Sequence, residues 1–132
     1  MIGTYFTDRD LGNIFPDILI TGGLHVERHR DHFAPDCPDE EWLEAIGRKG
    51  WIAISHDARI RYKPNELAAV ERHGVALPVV IGKAPFPDLA RSFVANAEAI
   101  ERFVGRHHPP FIAKIYRSGA VTLWYPRQDK GC

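Results

Sequence analysis

The sequence predicts an α/β protein: a three-layer α/β/α sandwich around a mostly parallel sheet, with a C-terminal helix and β-hairpin added. Three observations predict it. Strand-like and helix-like apolar patterns follow one another in the order β-α-β-α-β-α-β-α-β-β, as parallel strands with crossover helices require. "WIAIS" (51–55) and "VALPVVI" (75–81) are nearly all apolar, the mark of strands covered on both faces. The 132 residues, 45% of them apolar, suffice for one buried core.

The elements follow in order. "IGTYF" (2–6) is β-branched and aromatic and reads as the first strand. Leu11, Ile14, Phe15, Ile18 and Leu19 then fall at helical spacing. Pro16 is tolerated only in a first turn, so the helix is expected to start near Phe15 and to end at Gly22-Gly23. "LHVERH" (24–29) reads as the second strand and "APDCPDEE" as a loop entering a helix. Acids open that helix, Trp42, Leu43 and Ile46 mark its buried face, and Arg48-Lys49-Gly50 closes it. After the strand 51–55, "PNELAAVERHG" (64–74) is a short helix ending on Gly74, followed by the strand 75–81. One long helix is expected after Pro87, with Leu89, Phe93, Val94, Ala97, Ile100 and Val104 on its apolar face and "HHPP" as its stop. "FIAKIYRSGAVTLWY" (111–125) reads as a hairpin turning at Ser118-Gly119, and the tail "PRQDKGC" is expected to be disordered.

The bulk numbers exclude several classes. Seventeen acidic and seventeen basic residues cancel, so net charge points to neither a long nucleic-acid track nor a membrane surface. No apolar run approaches the roughly 20 residues that span a bilayer, and no secretory leader precedes the first strand. Two cysteines, Cys37 and Cys132, form neither C-x-x-C nor a disulfide framework, which suits a reducing cytoplasm.

Sheets of this kind carry their chemistry beyond the carboxyl ends of the strands. There the sequence places Asp8 and Asp10 after the first strand and Asp31, His32, Asp36 and Asp39 to Glu41 after the second. Asp57 follows the third. Each acid has an ordinary use: Asp8 or Asp10 as a helix cap, Asp39 to Glu41 facing a helix dipole, Asp57 in a turn. Together, carboxylates after three successive strands repel one another unless protons or cations neutralise them. Hard divalent ions such as Mg²⁺ or Mn²⁺ prefer such oxygen ligands, and metal-dependent phosphodiester hydrolysis uses them. A zinc reading of "ERHRDHF" (27–33) with Cys37 fares worse, because His25 and His29 share a strand face while His32 falls past the strand end.

"YFTDRDLG", "HVERHRDHF", "PDEEWLEAIGRKGWIAISHDARIR" and "KPNELAAV", in this order and spacing, resemble a compact PIN-like domain. The VapC-type toxin branch is the nearest type. The resemblance covers about residues 3 to 82. It implies one PIN-like domain over 1–132, with a nuclease-like core at 1–83, a C-terminal helix and hairpin at 84–125, and a tail at 126–132. It further implies a cytoplasmic Mg²⁺- or Mn²⁺-dependent ribonuclease, the toxin of a type II toxin–antitoxin pair, with RNA as substrate and an antitoxin protein as partner. By this resemblance Asp8, Asp39 and Asp57 are the catalytic, metal-holding acids, and Ser55 is the hydroxyl just ahead of the last one. The inserted segment that carries a further acid in full-length PIN domains is absent, leaving Asp10, Asp31 or Glu66 as substitutes. Glu66 has the alternative of organising Arg59 or Arg61. Arg9, Arg59, Arg61 and Lys63 lie in the same loops as the acids and suit flanking RNA phosphates. Their plainer use is neutralising those acids. The missing acid also keeps open an inactive PIN-like module that binds RNA or protein without cutting. Val121, Leu123, Trp124 and Tyr125 offer an antitoxin groove, or more simply cover for the sheet edge or a homodimer contact.

Overall fold

The computed structural model describes residues 3–126. The strands are β1 (Tyr5–Thr7), β2 (Val26–Arg28), β3 (Ile52–Ile54), β4 (Ala76–Val80), β5 (Phe111–Ile115) and β6 (Val121–Tyr125). They form one six-stranded sheet in the order β2-β1-β3-β4-β5-β6. All pairings are parallel except β5 with β6, the hairpin. The helices are α1 (Ile14–Thr21), α2 (His29–His32), α3 (Asp39–Lys49), α4 (Pro64–His73), α5 (Phe86–Ala95) and α6 (Ala97–Arg106). The α/β/α sandwich expected from the alternation is the architecture observed.

Period-2 alternation assigns each strand residue to a layer. Tyr5, Ile52 and Ile54 pack with Phe15 and Leu19 of α1, Leu89 and Phe93 of α5 and Ile100 of α6. Phe6 and Ala53 face the other way, onto Trp42, Leu43 and Ile46 of α3 and Ala69 and Val70 of α4. The sheet is thus dry on both sides, which explains the apolar composition of β3 and β4. On the second face α3 and α4 run close together. A Cβ built at Gly47 would collide with the carbonyl oxygen of His73, so this crossing needs a glycine. Trp124 and Tyr125 pack against the same layer, and Val121 and Leu123 pack near Phe111, so these side chains of the hairpin are partly buried within the chain.

The structure corrects three boundaries. The single long helix expected after Pro87 is two helices, starting at Phe86 and broken at Asn96. The Asn96 side-chain Nδ2 donates to the Ser92 carbonyl at 2.8 Å and its backbone N–H to the same carbonyl at 3.1 Å. The side chain thus adds a second donor to the carbonyl that ends α5, and Leu89 and Ile100 reach the core from separate helices. The first strand is Tyr5–Thr7, not 2–6, and residue 2 lies outside the described residues. The second strand ends at Arg28, and a short helix, His29–His32, stands where a strand end and loop were expected. The tail beyond Pro126 lies outside the described residues.

β1 carries β2 on one side and β3 on the other. The order of strands therefore reverses at β1, and the crevice beyond its carboxyl end is where open α/β sheets bind ligands.

Candidate active site

Asp8 is the residue after β1, and its backbone N–H donates to the Ile54 carbonyl of β3 at 3.0 Å. That bond fixes it at the mouth of the crevice. Its Oδ1 accepts from the Arg9 N–H at 2.6 Å, so Asp8 also caps the 3₁₀ turn Arg9–Leu11. Asp10 is inside that turn. Its Oδ2 accepts from the backbone N–H of His56, in the loop after β3, at 3.1 Å. Asp39 opens α3, and its Oδ1 accepts from Trp42 Nε1 at 3.0 Å, one turn on. Asp57 lies past β3, where its Oδ1 accepts from the Arg59 N–H at 2.9 Å. These four carboxylates line one pocket of about 190 Å³, together with Arg9, His29 and Cys37.

Ser55 ties three of these acids together. It is fully buried, and its hydroxyl faces Asp8 Oδ2 at 3.4 Å and Asp10 Oδ2 at 3.3 Å. A hydroxyl has one proton to give, so the two carboxylates share it. Ser55 Oγ in turn accepts from the Asp57 N–H at 3.0 Å, holding the loop that presents the last acid.

The charges are unevenly answered. Burial, then the charges of Asp10 and Asp39, push the Asp8 carboxyl up to about 7, against the hydrogen bonds from Arg9 and Ser55. Burial raises Asp10 as well, partly offset by the His56 and Ser55 bonds. Asp57 goes the other way. Burial acts to raise it, but the Lys63 hydrogen bond, the Arg59 N–H and both cations outweigh that and hold it below the usual carboxylate range. Lys63 Nζ sits 2.5 Å from Asp57 Oδ2, and this bond raises the Lys63 ammonium in return.

The remaining predicted residues divide. Lys63 reaches Asp57, Arg9 lines the acid pocket, and Arg59 stands 3.8 Å from Asp57 on the exposed surface. Arg61 belongs to the 3₁₀ turn Ile60–Tyr62 of the same loop. Glu66, in the first turn of α4, acts on Lys63, while the carboxylate beside Arg59 is that of Asp57. Asp31 is not brought to the pocket: it is on α2, exposed and loosely paired with Arg30 at 3.8 Å. The histidines of "ERHRDHF" also part company. His32 Nε2 is 2.7 Å from Glu27 Oε1, whereas His29 is buried among the rings of Phe6, Phe33 and Trp42. Among the described residues no three His, Cys, Asp or Glu side chains stand together closely enough to hold a metal ion.

His29 lines the pocket, and burial followed by Arg9 lowers its basicity. A second histidine, His56, escaped the sequence reading. His56 anchors Asp10 through its amide and donates or accepts at the Gly82 carbonyl through Nε2 at 2.9 Å. Nothing in the sequence around His56 announces these contacts.

Residues 4–81 match the family described as "PIN like domain". Comparison with curated proteins and with solved structures finds no match.

Proposed function

Because the chain belongs to the PIN-like domain family, we propose that it is a metal-dependent endoribonuclease that hydrolyses RNA phosphodiester bonds in the pocket beyond β1 and β3. The observation that carries this reading is the convergence of Asp8, Asp10, Asp39 and Asp57, from three chain segments, on one pocket. The donor chemistry suits a hard divalent cation, since all four are carboxylates, and Asp8 is raised by burial first and then by the charges of Asp10 and Asp39. Asp8, Asp39 and Asp57 would draw together from this arrangement to hold Mg²⁺ or Mn²⁺, which when bound supplies an activated water and neutralises phosphate charge.

The chain's own residues do the rest. Ser55 keeps Asp8, Asp10 and the Asp57 loop in one arrangement. Arg9 on one side and Arg59 on the other offer guanidinium forks to the phosphates flanking the scissile one. Lys63 holds Asp57, and a bound cation would compete with it for the same carboxylate. The raised Asp8 carboxyl would favour its ionised form with a cation bound beside it.

The test is cleavage of single-stranded RNA by purified protein in Mg²⁺ or Mn²⁺, with Asp8→Asn and Asp57→Asn alongside. Cutting by wild type that both variants lose supports the reading. No cutting by wild type, or cutting by both variants, overturns it. A second reading, a binding module that does not cut, is favoured by the Lys63–Asp57 pair, which already neutralises one acid. RNA bound in EDTA but left whole in Mn²⁺ selects it. The finer proposal is a VapC-like toxin acting in the cytoplasm and held inactive by an antitoxin. Induced expression should then arrest bacterial growth, and the Asp8→Asn variant should not.

A further inference from the structure

The acid pocket has a neighbour of opposite charge. A second pocket of about 190 Å³ opens at the carboxyl ends of β1 and β2, lined by Thr7, Asp8, Arg9, Arg28, His29 and Arg30 among others. Asp8, Arg9 and His29 line both pockets, so the two share a wall. The first holds four carboxylates; the second sets three guanidinium groups against the single carboxylate of Asp8.

These arginines are not spent on the acids. Asp57 is answered by Lys63 and Arg59. Among the described residues Arg9 makes no ion pair, although it stands at the shared wall. Arg28 is fixed by Asp17 through one terminal nitrogen, and a guanidinium has five N–H donors in all. Arg30 meets Asp31 only at 3.8 Å with both side chains exposed, a contact that restrains little. The shared wall also holds an incomplete polar group. His29 is 3% exposed and its Nδ1 has no hydrogen-bond partner among the described residues, whereas buried polar groups are normally hydrogen-bonded.

We propose that this second pocket is a phosphate subsite, seating the backbone phosphate next to the scissile one on a single-stranded RNA. The proposal rests on the reading of the acid pocket as the place of cutting. The volume lies below the ~300–1,000 Å³ of pockets that enclose whole small molecules, which suits a phosphate group rather than a base. Arginine forks bind phosphate in two places at once. The RNA strand then runs from Arg28 and Arg30 at the β2 edge, over the acids, toward Arg59 and Lys63 beyond β3.

The test is binding of a short single-stranded RNA in EDTA, followed by fluorescence anisotropy. One phosphate at a time is replaced by an uncharged methylphosphonate. Wild type should lose about tenfold in affinity at the position that adjoins the bond cut in Mn²⁺ on the Arg28 and Arg30 side. The Arg28→Ala/Arg30→Ala double variant should bind the all-phosphate RNA about tenfold more weakly and be indifferent to that replacement. Its dependence of log affinity on log salt should flatten by about 0.7 for each phosphate that the protein ceases to neutralise. Arg30→Ala alone, which leaves the Arg28–Asp17 pair intact, should give a partial loss and serves if the double variant melts early. The subsite is overturned if no single replacement matters, if the double variant responds as wild type does, or if inorganic phosphate competes with RNA equally well against both proteins at matched ionic strength. Cutting without the methylphosphonate effect sinks the subsite alone. The effect without cutting in Mg²⁺ or Mn²⁺ sinks the nuclease reading and leaves a phosphate subsite standing.

Discussion

The two walls of the acid pocket carry the same side chain in opposite states. On the β1 wall, Asp8 is pushed up to about 7 by burial, Asp10 and Asp39. On the β3 wall, Asp57 is held below its ordinary range by Lys63 and Arg59 in spite of burial. Both loops leave adjacent parallel strands, and both acids touch Ser55. The difference lies in the partners. Asp57 meets a cation at 2.5 Å, whereas Asp8 meets a hydroxyl, one backbone N–H and other carboxylates. Under the proposed nuclease reading, the unanswered wall is the one that a cation from outside would neutralise.

Removing the unanswered charge gives the largest expected effect. Asp8→Asn should lower RNA cleavage by about 10³-fold, since several kcal/mol of metal-held charge stabilisation disappears. The same variant should be more stable than wild type. The Asp8 pKa is raised from 3.8 to about 7, so the folded state binds its proton more readily, and wild-type stability should fall as pH climbs through that window. At pH 8 the gain in Asp8→Asn is on the order of 2 to 4 kcal/mol, at about 1.4 kcal/mol per pKa unit. Denaturant melts at pH 4, 6 and 8 check this. Equal pH slopes for the two proteins would break the comparison.

The shared hydroxyl comes next. Ser55→Ala leaves Asp8 and Asp10 with less hydrogen bonding and the Asp57 N–H without its buried partner, at a cost of about 1–3 kcal/mol. Cleavage should fall with it, and the stability loss of Ser55→Ala should shrink in an Asp8→Asn background, as a double-mutant cycle measures.

The answered wall should respond more weakly. Lys63→Met removes a partly exposed pair worth about 1 kcal/mol. The sign follows from Asp57 being lowered: its stabilisation is present above the unfolded value of 3.8 and is lost as pH falls below it, so the variant should lose stability at neutral pH but not near pH 2. The variant should also bind Mn²⁺ severalfold more tightly, read as a larger Mn²⁺-induced rise in melting temperature, because Asp57 is released from its competitor. Unchanged Mn²⁺ binding would show that Asp57 takes no part in holding the ion.

The smallest effect belongs to the wall shared with the second pocket. His29→Phe replaces a buried ring nitrogen that has no partner among the described residues, and stability should change by less than about 1 kcal/mol. RNA binding in EDTA should weaken. A variant that binds RNA as wild type does would reduce His29 to a packing residue among Phe6, Phe33 and Trp42.

Much of the fold was legible because it depends on local chemistry. Gly50 and Gly74 stop their helices in the left-handed region, as their positions after Lys49 and His73 suggest. The apolar runs at 51–55 and 75–81 do become strands buried on both faces. What failed was a break beside one side chain: the apolar stripe continues through Asn96, but the Asn96 amide bonds to Ser92 where α5 ends. Periodicity counts apolar positions and is blind to such contacts.

The candidate site divides along the same line. Sequence by itself determined that this is an alternating α/β chain with acids after its first three strands, because strand order and period-2 patterning leave one place for those residues: the carboxyl edge of the sheet. Only the tertiary structure decided which acids meet there and what charge each carries. Asp10 joins Asp8 through contacts with Ser55 and His56, 45 and 46 residues away, whereas Asp31 turns outward to Arg30. Lys63, six residues from Asp57, bends back onto it, and His29 is sealed between rings from three segments. Charge state follows from burial and from partners within a few ångströms, and these are set by how distant segments pack rather than by their order along the chain.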